Sequence, residues 1–189
     1  MGRLAAARII GAAAAVLALS ACAGGNYGPV SDSPVRIGQP YTIRGTTYTP
    51  TAAPAYDALG YASWYGSESG NRTANGERFR PDWITGAHTT LPLPTYVEVT
   101  ALDTGRRIIV RINDRGPFSH GNRIIDLSRG AAEELGIKVQ GIAPVRVRRV
   151  EPSKKDRERL REGKPARALK PVPQQELQQL RARLSSRGH

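Results

Sequence analysis

Hydrophobic and polar positions follow different periods in different parts of the chain. From residue 60 to residue 150 the alternation is strand-like. Tyr61-Ala62-Ser63-Trp64-Tyr65 predicts a strand closed by Gly66, and residues 66–76 are crowded with turn formers. In Tyr96-Val97-Glu98-Val99-Thr100, Val97 and Val99 share a face. Asp103-Thr104-Gly105 then turns the chain into a run where Ile108, Val110 and Ile112 share a face, which predicts a hairpin. Asn113-Asp114-Arg115-Gly116-Pro117 breaks that strand, and residues 123–127 predict another. Ser128 suits the N-cap of a helix running to Leu135, with Gly136 as its stop. Val145, Val147 and Val150 mark a closing strand. About five or six short strands with one short helix predict a mainly β domain, a small closed barrel, because closure removes exposed sheet edges.

The flanks read differently. Residues 22–59 are rich in Gly, Pro, Ser and Thr and predict a flexible tether, with Pro40-Tyr41-Thr42-Ile43 as one docking strand. Residues 151–189 form a basic, proline-punctuated tail, partly helical or disordered. After Pro173, Leu177, Leu180 and Leu184 make a narrow apolar stripe at helical spacing. Read as a marginal solvated helix, it predicts a tail that adds little to the stability of the barrel.

Residues 1–21 read as an address. Arg3 and Arg8 form a positive start, followed by an uncharged apolar run over residues 9–19. At about 1.5 Å per residue that run falls short of a bilayer core of about 30 Å, so a signal peptide is expected. Leu19-Ser20-Ala21-Cys22 resembles a bacterial lipobox, in which Cys22 carries the lipid and becomes the mature N-terminus. Cys22 is the only cysteine, which excludes a disulfide within the chain. Several acyl chains on one residue make a lasting anchor. Ala23 in place of Asp suggests, by resemblance to Gram-negative lipoproteins, the inner leaflet of the outer membrane, facing the periplasm.

The net charge is +12, and residues 151–189 hold 11 basic against 5 acidic side chains. Such a balance invites a nucleic-acid reading. Export argues against it, and no helix-turn-helix, zinc-finger or aromatic RNA-binding pattern occurs. Lipid phosphates and other envelope polyanions are the expected counter-charges.

Several chemistries are excluded by residue type. Gly66-Ser67-Glu68-Ser69-Gly70 has glutamate where a nucleophile elbow needs serine. No phosphate-binding glycine loop occurs, and His88, His120 and His189 lack metal-ligand spacing. What remains is Glu77, His88 and Asp114, polar residues at loops bordering apolar strands. Taken singly, each also fits a turn cap, a solvated charge or a satisfied edge histidine.

Linked motifs narrow the choice. Ala62-Ser63-Trp64-Tyr65-Gly66, Thr73-Ala74-Asn75-Gly76-Glu77 and Ala87-His88-Thr89-Thr90-Leu91-Pro92 occur in order. They continue with Val110-Arg111-Ile112-Asn113-Asp114-Arg115-Gly116-Pro117-Phe118 and Arg123-Ile124-Ile125-Asp126-Leu127-Ser128. This stretch resembles the rare lipoprotein A family, whose fold is a six-stranded double-psi β-barrel related to expansins. The resemblance implies a lytic transglycosylase that cleaves peptidoglycan glycan strands, preferring naked glycan, and leaves 1,6-anhydromuramyl ends. It places the family's functional positions on Glu77, His88 and Asp114, with no metal or cofactor. Cell-envelope proteins are further expected partners. The tail is too short and polar for the sporulation-related repeat that many relatives carry, so septal targeting by that route is not expected.

Glycoside hydrolysis generally uses two carboxylates. Lytic cleavage needs less, because the muramic C6 hydroxyl is an internal nucleophile held near the anomeric carbon. One carboxyl group can protonate the leaving oxygen and then take the C6 proton, provided burial keeps it protonated. Asp114 is the expected acid/base and Glu77 an auxiliary carboxylate. His88 would orient a carboxylate or bind sugar hydroxyls. Tyr65 and Trp83 are candidates for stacking on sugar rings, and Arg115 for binding substrate, while Trp64 is expected in the core. The alternative is a non-catalytic, expansin-like lipoprotein that binds the wall.

Overall fold

The computed structural model describes residues 27–118 and 121–186. The signal region and Cys22 lie outside the described residues.

The strands are β1 (Tyr41–Ile43), β2 (Thr46–Tyr48), β3 (Asp57–Tyr65), β4 (Thr85–Ala87), β5 (Thr95–Ala101), β6 (Arg107–Asp114), β7 (Arg123–Ser128) and β8 (Ala143–Arg149). The helices are α1 (Arg129–Leu135), α2 (Lys154–Arg161) and α3 (Gln174–Ser185). Six strands close a barrel in the order β3-β7-β4-β6-β5-β8, while β1 and β2 make a separate hairpin. The β3–β7 and β4–β6 pairs are parallel and the remaining barrel pairs antiparallel. The barrel is the small closed one that the alternation predicts, with the six strands that the resemblance implies; the alternation does not show β4.

Its interior is aliphatic. Val97, Val99, Val110, Ile112, Ile125, Leu127, Val145 and Val147 are all fully buried. Trp64 packs against this core and donates its indole N–H to the Lys138 carbonyl at 3.1 Å. Helix α1 starts and stops where its caps dictate. The Ser128 side chain accepts from the Ala131 N–H, and Gly136 takes the left-handed conformation at φ 85°.

Strand β5 is buried at every position and β6 at all but its ends, so both faces of this hairpin are covered. The inner face meets the core. The outer face is covered by the two flanks. Asp32 accepts from the Tyr96 hydroxyl at 2.8 Å and from Arg111 Nε at 3.2 Å. Ala166 and Leu169 of the tail pack on the core, and Leu160 belongs to it.

The expectation of a loosely attached tail fails here. Leu177 and Leu180 are buried against Leu59, Leu102 and Val172, with Leu184 beside them. Gly105 makes that docking fit, because a Cβ there would lie 2.9 Å from both Leu177 Cδ1 and the Val172 carbonyl oxygen. The stripe is narrow because its partner surface is small and preformed. Charge-dense α2 is held by a cap: the Ser153 side chain accepts from the Asp156 N–H at 3.1 Å, and the Asp156 carboxylate receives the Arg167 N–H at 3.0 Å.

Candidate active site

Short β4 lies between β6 and β7, and this placement creates the site. Ala87 is the register partner of Asp114 on β6 and of Asp126 on β7. The two carboxylates therefore stand on either side of one small residue at the barrel mouth. Gly116 folds back over it at φ 142°, and a Cβ there would lie 3.5 Å from Ala87 Cβ. An open cleft of about 300 Å³ results, with Tyr65, Arg72, Asp114, Arg115, Phe118 and Asp126 among its lining residues.

Asp114 is only half engaged. Its Oδ1 accepts the N–H groups of Ala74 and Arg115, both at 2.8 Å. Among the described residues Oδ2 has no partner. Burial raises the carboxyl pKa above its ordinary value, outweighing the two N–H donors and the nearby Arg115, which lower it. Asp126 is raised in the same direction by burial, against the Ser63 hydroxyl bond and Arg123. Ser63 Oγ donates to its Oδ1 at 2.7 Å. The Tyr65 hydroxyl is buried and has no hydrogen-bond partner among the described residues, and its ring stacks on Phe79 at 4.8 Å. Burial first, then Asp114 and Asp126, push its pKa well up, so it is a neutral donor beside two carboxyl groups.

Glu77 occupies a different place. It is 1% exposed, and Arg111 Nη1 and Nη2 each donate to it at 2.8 Å in a bidentate pair. Asn113 Nδ2 adds a bond at 2.8 Å and Asn75 Nδ2 another at 2.9 Å. Its oxygens are taken up by the protein, and it does not line the Asp114 cleft. It ties the loop at residues 73–77 to β6, and that loop supplies the Ala74 N–H to Asp114.

His88 is also buried. Its Nδ1 accepts the Thr90 and Leu91 N–H groups, both at 3.1 Å, which puts the ring proton on Nε2. Burial, and then Arg115, lower its pKa to about 4, so the ring is neutral at neutral pH. Its own backbone N–H donates to the Asp114 carbonyl at 3.1 Å. The ring thus fixes the turn against which the Asp114–Arg115 segment rests.

The remaining candidates separate. Tyr65 and Arg115 line the cleft. The Arg115 guanidinium, however, donates to the carbonyls of Leu91 at 2.6 Å, Ile37 at 3.0 Å and His88 at 3.2 Å. It acts as a clamp on the cleft wall. Trp83 does not reach the cleft. The Arg80 guanidinium sits 4.3 Å from its ring centroid, and a Cβ on Gly163 would collide with the indole. That ring is covered by the tail.

Asp126 carries a signal that sequence reasoning left unused, a lone charge within Ile124-Ile125-Asp126-Leu127. Phe118, one of the few aromatics that raise the question of a sugar platform, lines the cleft together with Tyr65. Among the described residues no group of three or more His, Cys, Asp or Glu side chains converges as a metal site would require.

Residues 57–147 match the family described as Lytic transglycolase. The chain is 52% identical over 115 residues to the endolytic peptidoglycan transglycosylase RlpA of Pseudomonas aeruginosa strain UCBPP-PA14, covering 60% of this chain and 33% of that one. It is 47% identical over 116 residues to RlpA of Rickettsia felis, covering 59% and 50%. For RlpA of Neisseria meningitidis serogroup A the identity is 48% over 114 residues, covering 59% and 47%. The chain thus spans between a third and a half of the length of these relatives. Residues 57–147, which carry both cleft carboxylates and nearly all of the six-stranded double-psi β-barrel, are thus the stretch that matches the lytic transglycolase family.

Proposed function

We propose that this protein is a lytic transglycosylase that cuts peptidoglycan glycan strands, without stem peptides, in the Asp114 cleft and leaves 1,6-anhydromuramyl ends. The observation that carries the reading is Asp114, a half-engaged carboxyl group raised by burial and facing an open cleft. The likeness to proteins named endolytic peptidoglycan transglycosylases agrees with it.

The reaction needs one proton carrier. Protonated Asp114 gives its proton to the glycosidic oxygen as the muramic C1–O bond breaks. The muramic C6 hydroxyl then attacks C1 and returns its proton to the Asp114 carboxylate, so no water is consumed and the acid is regenerated. Asp126, on the far side of Ala87, steadies the oxocarbenium-like charge between these steps. Glu77 and His88 act as positioning residues through the Ala74 N–H and the turn at residues 88–91. Mass spectrometry of soluble products from purified, peptide-free glycan strands tests the reading. Anhydromuramyl ends support it. Reducing ends would make the protein a hydrolase, and binding without products would make it a wall-binding module.

The same reading places the protein at the inner leaflet of the outer membrane through a lipid on Cys22. Only the thiol accepts the diacylglyceryl group, so Cys22→Ser should leave uncleaved precursor or abolish outer-membrane fractionation. Normal processing of that variant would refute the anchor.

A further inference from the structure

Three aromatic side chains meet at one rim of the Asp114 cleft, and neither hydrophobic core cluster contains any of them. Tyr41 and Tyr48 are cross-strand partners in the β1–β2 hairpin, which puts their rings on the same face. Their centroids lie 5.4 Å apart with the planes 24° from parallel. Phe118 meets Tyr41 edge-on at 6.0 Å and Tyr48 at 5.7 Å. All three rings remain partly exposed. Phe118 also lines the cleft that holds Asp114, so the aromatic surface and the cleft are continuous.

The hairpin is a separate sheet outside the barrel. Its strands are three residues each, and Thr42, Thr46 and Thr47 are exposed. A lone two-stranded hairpin is marginal in water. This one is held against the site. The Tyr41 hydroxyl donates to the Thr89 carbonyl at 2.7 Å, and Arg115 grips the Ile37 carbonyl just upstream at 3.0 Å. The Thr51 N–H donates to the Thr90 carbonyl at 3.0 Å on the other flank. Thr89 and Thr90 belong to the His88 turn and Arg115 follows Asp114, so the hairpin is registered to the reaction centre. It also lies upstream of residues 57–147, the part matched by the family.

We infer that Tyr41, Tyr48 and Phe118 form a subsite on which a pyranose ring of the glycan strand stacks, next to the sugars spanning the bond at Asp114. The occupant follows from the chemistry. A pyranose presents a face of C–H bonds rimmed by hydroxyls, and aromatic surfaces supply dispersion contact to that face while tyrosine hydroxyls meet the rim. An acidic or purely apolar partner would leave either the rings or the hydroxyls unused. The identity of the strand rests on the proposed function, but the stacking can be tested without turnover.

The full chain carrying Asp114→Asn should be titrated with long peptide-free strands and with tetrasaccharides, alone and with Tyr48→Ala, Tyr48→Leu or Tyr48→Phe added. Tyr48→Ala and Tyr48→Leu should weaken long-strand binding about tenfold, in the range of a lost aromatic contact, while Tyr48→Phe keeps most of it. Tetrasaccharides that reach only the cleft should bind alike in all four. With Asp114 intact, the same substitutions should raise KM for long strands and leave kcat in place. Phe118→Leu, whose backbone belongs to a barrel loop, repeats the long-strand titration alone, because Phe118 also lines the cleft, if thermal melts show that the Tyr48 variants unseat the hairpin. Unchanged long-strand affinity in folded Tyr48→Leu and Phe118→Leu proteins overturns the subsite. Lost binding by these variants, with no anhydro ends from the wild type, upholds the subsite and removes the transglycosylase reading. Anhydro ends from the wild type with unchanged KM in the variants does the reverse.

Discussion

Glu77 and Arg111 face each other through two parallel hydrogen bonds of 2.8 Å in the buried region beside the cleft. Around them converge the loop at residues 73–77, the start of the described chain and the tail. Arg111 also reaches Asp32 and the Ser31 carbonyl, and Asp32 pairs with Arg161. A buried pair of this kind is a poor source of net stability while intact, but removing one partner strands the other charge. Glu77→Gln should therefore destabilise the protein by about 3 kcal/mol, near the lower end for such breaks because Asp32 remains beside Arg111. Equilibrium urea unfolding measures it. Activity should fall together with stability, because the Ala74 N–H loses its support. Wild-type stability with lost turnover would instead make Glu77 a catalytic carboxylate.

His88 gives stability a pH dependence of known sign. Its pKa is about 4 when folded against 6.5 for an unperturbed ring, so between those values the unfolded chain binds a proton that the folded one does not. Stability from this group is complete above about pH 6.5 and is lost as pH falls towards 4, by about 3 kcal/mol in all. The raised Asp114 and Asp126 act in the opposite direction, favouring the folded state at low pH and losing that advantage as pH rises. His88→Gln should be less stable at pH 7 yet flatter from pH 6.5 to 4, as read from denaturant midpoints. An unchanged slope would mean that His88 titrates normally.

The tail should carry real stability. Leu177 is fully buried against Leu102 and Val172, and truncating a buried leucine costs about 2–5 kcal/mol. Leu177→Ala should lower the melting temperature by several degrees, and deletion from Glu151 onward should do more, because Leu160 also leaves the core. A melting temperature unchanged by the deletion would show that α2 and α3 contribute nothing to the barrel.

Elements whose signal is local were legible in the sequence. The alternation in β5, β6 and β8 and the caps Ser128 and Gly136 specify their own structure within a few residues. Thr85-Gly86-Ala87 has no alternation to show, and β4 exists because β6 and β7 pair with it from either side. Arg111 sits between Val110 and Ile112, where alternation points to solvent. It is 1% exposed because Ser31, Asp32 and Glu77 close over it, all distant in sequence. Asp114 could be singled out from its motif. Asp126 shows as a lone charge in an apolar run, but that it faces Asp114 across the cleft could not be read, since that relationship depends on β4.

Asp126→Asn should keep the fold and the Ser63 contact, since asparagine's oxygen can still accept the 2.7 Å bond. Loss of the charge should lower kcat about 10²-fold with KM little changed, the size expected for one electrostatic stabiliser. Steady-state rates on glycan strands of defined length measure it. Undiminished kcat would leave Asp126 a structural acceptor for Ser63.

The central claim is that Asp114 moves the proton, and Asp114→Asn tests it most directly. Asparagine keeps the size and the Oδ1 acceptor for the Ala74 and Arg115 N–H groups, so thermal melts should match the wild type. Binding to peptide-free strands should persist. The measurement is the yield of 1,6-anhydromuramyl products from those strands, quantified for both proteins across pH. The wild type should lose activity as pH rises through the raised Asp114 pKa, and the variant should be slower by about 10²–10⁴-fold below that pKa, with the gap narrowing above it. Anhydro products formed by Asp114→Asn at the wild-type rate would contradict the account.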